Sequence, residues 1–439
     1  MPPDAEKYGL TEKAARAQGW GEVHADSYGR LLAQLECHLN RTFEFNEHTK
    51  AREVRRHWQK IMQCDPAQWG ARGMPPLTEV ELAKHARNSY PTFACGYNWL
   101  DSNWESSKRL ERRILDIIKF YTDRRVPCKQ VILVTHSMGG LVARACAKRI
   151  PDKILGVIHG VMPALGAPAA YRRMACGTES TSPSRMGTLD EKGMEGFATI
   201  AGPTTEDTTA VMAMAAGPLE LLPNHLYPKP WLHARITRMH GSQSSHQAVM
   251  SMPPADATPY AMYADWTSWY RVINPALADP TEKYREKPGG VEKALRGAID
   301  AAQRFHMLYL RDWYHGNTYA FYCSDPAYMS FGEVRWTARM PAESGAVLTT
   351  ANVKQAKFLA HTKAGGRRVV VEGKTELYFE PDQQDSAGDG TVSAQSGAGP
   401  GDKIRQLIRA SGFGHQEAYN DRAMQQLTQY LIVKIVQEL

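Results

Sequence analysis

The segment Val131-Ile-Leu-Val-Thr-His-Ser-Met-Gly-Gly-Leu-Val-Ala-Arg-Ala145 constrains the fold most, because a β-branched run, a turn built around Ser137 and a helical run follow without a gap. Only small residues let a strand and a helix approach each other around such a turn. Gly139 and Gly140 supply them on its downstream side. The pattern is that of a nucleophile elbow, in which a serine hydroxyl is held exposed at the tip of a strand-to-helix turn. The helix starting near Met138 aims its N–H groups and positive dipole end at charge developing beside the serine, so the Met138 N–H is the expected oxyanion donor. Thr135 stands where the pattern asks for glycine, and its β-branched side chain crowds the turn.

A serine nucleophile needs a base and a carboxylate to orient that base. Ser386-Ala-Gly-Asp-Gly-Thr-Val392 places Asp389 in a glycine-flanked turn, and Ser411-Gly-Phe-Gly-His-Gln-Glu417 places His415 in another, just before a helix. Taken singly, each reads as an ordinary turn residue. Taken together, Ser137, Asp389 and His415 follow in the order serine, acid, histidine, and each sits on a loop, where catalytic groups are usually carried. Asp385 and Asp402 are the carboxylates that could stand in for Asp389.

With these motifs the chain resembles the α/β-hydrolase superfamily, and within it lipases and esterases whose elbow reads His-Ser-Met-Gly-Gly and whose acid lies in Asp-Gly-Thr-Val. Gly19-Trp-Gly-Glu-Val-His-Ala-Asp-Ser-Tyr28, Gly96-Tyr-Asn-Trp-Leu-Asp-Ser-Asn103 and Gly217-Pro-Leu-Glu-Leu-Leu-Pro-Asn224 are similar to bacterial GPI-inositol-deacylase-like lipases, a branch that includes lipase effectors of type VI secretion systems. The resemblance implies hydrolysis of lipid carboxylic esters at a membrane surface, delivery by a secretion apparatus and a cognate immunity protein. An acyltransferase would share the triad, and a catalytically weak lipid-binding or secretion-cargo protein would keep the fold without turnover. Both stand as alternatives.

The order of elements gives an α/β class independently of the motifs. Thr92 to Trp99 reads as a buried strand, Ser102-Asn-Trp-Glu105 as a capping box opening a helix with Leu110, Ile114, Ile117 and Tyr121 on one face, and Val131 to Val134 as the next strand. A helix over 141–150, strand-like runs over 154–162 and 317–323, and a closing helix over 417–439 complete a mostly parallel sheet with helices on both faces. Hydrolases of this kind carry a further strand and a His-Gly or Pro-Gly loop upstream, which donates the second oxyanion N–H. Residues 1–90 show neither. The expectation is a chain that begins downstream of its natural first strand, or one in which another N–H has taken the role.

The expected organisation is a helical and irregular segment over 1–91, a core over 92–200 and 307–439, a cap over 201–306, and a small antiparallel β insertion over 331–380. The cap assignment rests on Met212, Met214, Tyr227, Trp231, Tyr260, Met262, Tyr263, Trp266, Trp269 and Tyr270, which suit an apolar lid over acyl chains and equally suit a satellite core.

At 439 residues, 43% hydrophobic and 23% charged, the chain suits one elaborated domain with a large core. No apolar run approaches the ~20 residues of a membrane span, and Met1-Pro-Pro-Asp4 opens no secretory signal, so synthesis in the cytoplasm and export through a type VI system to a target-cell periplasm is the expected itinerary. Seven scattered cysteines argue against a disulfide framework. A net charge of +7 favours anionic lipid surfaces, while basic runs such as Arg52 to Arg56 read as solvated faces without the aromatic interleaving of a nucleic-acid binder. No zinc spacing or EF-hand loop is present and no cofactor is implied. The one cation site the spacing permits is calcium held by Asp382, Asp385 and Asp389.

Overall fold

The computed structural model describes residues 10–179, 191–240, 242–341, 344, 347–362 and 365–439, without the side chains of 191–195. The opening Met1 to Asp4 lies outside the described residues.

Four parallel strands form the central sheet, in the order Gln406–Ala410, Thr318–Cys323, Ile154–Gly160, Val131–His136. Their apolar runs are covered on both faces, as a parallel sheet requires. On one face the helix Asn103–Asp123 packs with the helix Gly139–Arg149, and Ile114, Cys146 and Val157 meet there. On the other, the closing helix Arg422–Val436 buries Met424, Leu427, Leu431 and Ile435 against Ile158, Phe321 and Ile408. Asp421 caps it, accepting from the Met424 N–H at 2.9 Å. The N-terminal helix Ala25–Leu39, a hairpin of Phe43–Asn46 with Ala51–Val54, and the helix Arg56–Met62 extend this second layer through Leu31, Leu35, Val54 and Trp58.

The expected strand over Thr92–Trp99 is not formed, and Val131–His136 is the edge of the sheet. The segment is held to the N-terminal region by isolated bonds in place of a ladder. The Ala94 N–H donates to the Gln18 carbonyl at 2.8 Å, the Thr92 carbonyl accepts from Trp20 Nε1 at 2.8 Å, and the Gly96 N–H donates to Glu22 Oε2 at 3.1 Å. The capping box at Ser102 is also simpler than expected. Ser102 accepts from the Trp104 N–H at 3.1 Å, whereas Glu105 turns outward to Lys108 at 2.6 Å. The acidic side chain that serves this helix start is Glu220, which accepts from the Asn103 N–H at 2.7 Å and from the Ser102 hydroxyl at 2.9 Å, and burial pushes its carboxyl up to about 8.

The second body is a six-stranded sheet in the order Lys357–His361, Arg367–Val371, Thr375–Pro381, Val334–Pro341, Leu232–His240, Gln243–Met252. The β insertion is therefore joined edge to edge by a hairpin from within the expected cap, through the parallel pair of Leu232–His240 with Val334–Pro341. The other pairings are antiparallel. Tyr227, Trp231, Tyr260, Tyr263, Trp269 and Tyr270 are core side chains of this body. Trp269 stacks on Phe379 with ring centroids 4.3 Å apart, a contact worth about 0.5–1.5 kcal/mol beyond its buried area. The fully buried Arg367 donates to the carbonyls of Trp269, Ala175 and Arg271, which satisfies three donors of an otherwise costly burial.

Candidate functional site

Ser137 stands between the edge strand and the helix Gly139–Arg149 with φ at 51°, a left-handed backbone that costs a non-glycine residue roughly 1–2 kcal/mol. Two backbone bonds hold it there: its N–H donates to the Gly160 carbonyl at 2.9 Å, and its carbonyl accepts from the Gly140 N–H at 2.9 Å. The two glycines differ. A Cβ on Gly140 would lie 2.6 Å from the buried Met162 side chain, which would have to shift, whereas a Cβ on Gly139 would meet nothing nearer than the Tyr97 hydroxyl at 3.7 Å. Burial pushes the Tyr97 phenol up, so it remains an O–H donor beside this corner. Thr135 is tolerated in place of the expected glycine because its hydroxyl is hydrogen-bonded to His159 Nδ1 at 2.9 Å and its carbonyl accepts from the Tyr419 hydroxyl at 2.9 Å.

The structure brings the three sequence-predicted side chains together. His415 Nε2 lies 2.8 Å from Ser137 Oγ, and His415 Nδ1 lies 2.7 Å from Asp389 Oδ2. Asp389 is 1% exposed, and its other oxygen accepts from the N–H groups of Thr391 at 3.0 Å and Val392 at 2.6 Å. A carboxylate can only accept. Nδ1 of His415 therefore carries the proton, and Nε2 is the lone-pair nitrogen facing the serine hydroxyl. The two loops are also tied by backbone, the His415 N–H donating to the Asp389 carbonyl at 2.6 Å. No acceptor for the Met138 N–H is found among the described residues, and that group opens the helix behind Ser137.

The other carboxylates are engaged elsewhere. Asp385 accepts from the N–H groups of Gly332 at 2.8 Å and Glu333 at 3.1 Å and pairs with Arg335 at 3.0 Å, Asp382 pairs with Arg235 at 2.7 Å, and Asp402 is exposed in the turn Gly401–Lys403. Asp382, Asp385 and Asp389 thus have separate partners and do not converge on a cation. Among the described residues no group of three or more His, Cys, Asp or Glu side chains could hold a metal ion.

Sequence reasoning missed how the imidazole is held. His136 Nε2 is 2.8 Å from the His415 carbonyl and Nδ1 is 2.9 Å from the Tyr28 hydroxyl. A carbonyl only accepts, so Nε2 carries the hydrogen and Tyr28 donates to Nδ1. Burial pushes the His136 imidazole down to about 3, which keeps it in this neutral tautomer. Ser27 receives a further bond from Gln416, the residue after His415, at 2.6 Å. The signal was present: His136 lies inside the elbow motif, and Ser27 and Tyr28 end the Gly19 to Tyr28 stretch.

A central parallel sheet flanked by helices, with β insertions and a strained serine at a strand-to-helix corner, defines an α/β hydrolase. The model of the PGAP1-like alpha/beta domain matches residues 105–181, which include the corner itself. In the crystal structure of a Tle4–Tli4 complex, a chain 28% identical to this one superimposes with a TM-score of 0.76, covering 98% of this chain and 84% of that one. Phospholipase PlaB from Legionella pneumophila matches at 10% identity over 75% of this chain and 88% of that one, with a TM-score of 0.20 on which no argument rests. No curated protein matches. The chain has the α/β-hydrolase fold and resembles the PGAP1-like alpha/beta domain and the chain of the Tle4–Tli4 complex.

Proposed function

We propose that the protein is a serine hydrolase of lipid carboxylic esters, a phospholipase of the type VI effector kind. The observation that carries this reading is the continuous relay from Asp389 through His415 to Ser137, with both contacts shorter than 3 Å. In the reaction, Ser137 Oγ attacks the ester carbonyl carbon while its proton passes to His415 Nε2, and the charge on the former carbonyl oxygen is met by the Met138 N–H. Collapse breaks the bond to the leaving alcohol, which takes the proton back from Nε2 and leaves an acyl-Ser137. Water then attacks the acyl carbon with His415 again as base, releasing the carboxylic acid. Asp389 fixes the tautomer and supports the imidazolium in both halves.

The lipid substrate and the route of delivery rest on the likeness to Tle4 and on the elbow and acid motifs. A cognate immunity protein is proposed because the Tle4 chain was crystallised as a complex with Tli4. Among the described residues no helix is long and apolar enough to cross a membrane. Incubation with mixed phospholipids followed by lipid profiling tests the reading. Release of free fatty acid and lysophospholipid by the wild type, and none by Ser137→Ala, is expected; identical profiles for the two proteins would refute it.

A further inference from the structure

A cleft of about 590 Å³ opens between the helix Ala25–Leu39, the helix Arg56–Met62 and the start of the closing helix, and none of Ser137, Asp389 and His415 lines it. Five cationic side chains face it, Arg30, Arg55, Arg56, Lys60 and Arg422, against the single carboxylate of Glu44. Glu44 pairs with Arg55 at 3.6 Å, while Arg30, Arg56, Lys60 and Arg422 have no acidic partner among the described residues. Like charges gathered in a concave wall repel one another and focus a positive potential into the cleft, a cost that an anion relieves. Side-chain amides of Gln34, Gln425, Gln426 and Gln429 also line it. Gln425 is 1% exposed and its Oε1 finds no donor among the described residues, an unmet acceptor suited to a hydroxyl of the group that carries the phosphate. His38 and His57, stacked at 4.1 Å, line it as well.

We infer that this cleft binds a phosphomonoester, either the headgroup of an anionic lipid or a soluble phosphate. Guanidinium groups suit phosphate oxygens by their forked donors, and a phosphomonoester carries nearly two charges where a diester carries one. The four unpaired cations come from three elements far apart in sequence, which explains why Arg52 to Arg56 reads as an ordinary solvated run until the fold places it opposite Arg30 and Arg422. The site is separate from the ester-cleaving corner and does not depend on that reading.

The test is titration of the full chain with inorganic phosphate, and cosedimentation with phosphatidylcholine vesicles containing about one-fifth phosphatidic acid. Binding to at least one probe is expected, weakened about tenfold or more in Arg56→Gln/Arg422→Gln and unchanged in Lys293→Gln/Arg296→Gln, which removes equal charge from a remote helix. Vesicle binding that inorganic phosphate does not displace assigns the site to a lipid headgroup; displacement assigns it to phosphate from either source. Should the double variant melt early, the exposed Lys60→Gln carries the test, with a smaller loss in the same direction. Binding to neither probe, or equal losses in the cleft and control variants, would overturn the inference.

Discussion

His136 donates from Nε2 to the backbone carbonyl of His415 at 2.8 Å, so the residue before the serine also holds the loop that carries the imidazole. Strand end and catalytic loop are thereby one unit, clasped from outside by Tyr28 at 2.9 Å. Replacing His136 with Phe removes this strap while keeping volume. The expected result is a fall in kcat of about 10- to 100-fold with little change in KM, and a loss of about 1–3 kcal/mol from the groups left unpaired. His136→Gln, which keeps a donor for the carbonyl, should recover part of kcat. Steady-state kinetics with a soluble short-chain ester and urea unfolding read the two effects.

Asp389→Asn should leave the fold intact and lower kcat by about four orders of magnitude, because the amide can stabilise the wrong imidazole tautomer. Asp385→Asn, at a carboxylate engaged by Arg335 and two backbone amides, should cost stability without a comparable loss of turnover. Equal kinetic losses in the two variants would show that the acid is misassigned.

The glycines around the elbow should respond unequally. A Cβ on Gly160 would lie 2.7 Å from both the Phe321 ring and the Tyr419 hydroxyl, so Gly160→Ala should destabilise by about 1–3 kcal/mol. A Cβ on Gly139 would make only ordinary contacts with Tyr97 and Thr135, and Gly139→Ala should be neutral or gain up to about 1 kcal/mol from helix propensity. Thermal melts of the two variants against the wild type give the comparison.

Stability should fall as pH drops below about 6.5. Burial lowers His136 and His159 to about 3 and His306 to about 4. Between those values and the ordinary histidine range the unfolded chain binds more protons than the folded one, so the stabilising contribution is complete above pH 6.5 and is lost as the pH falls towards 3. Urea midpoints at pH 7 and pH 5 should differ in that direction, and His159→Gln should reduce the difference.

Local pattern carried Ser137, Asp389 and His415 into view because each lies in a short motif with its own turn chemistry, and chain order linked them. The parallel strands over 131–136, 154–160 and 318–323 were legible from their apolar runs, whereas the strand over 406–410 was not anticipated from its five residues. The segment over 92–99 misled because apolar composition says nothing about whether a partner strand is available. The aromatics over 227–270 show a different limit: periodicity marks burial but not what is buried against what, and four of the six strands of the sheet beside them come from residues 334–381. The strap from His136 and the basic cleft share this non-local origin.

The most direct measurement is reaction with a fluorophosphonate probe followed by peptide mass mapping. The account predicts one covalent adduct, on the Ser137 peptide, lost in Ser137→Ala and greatly slowed in His415→Ala. An adduct on another serine, or undiminished labelling after Ser137→Ala, would contradict it.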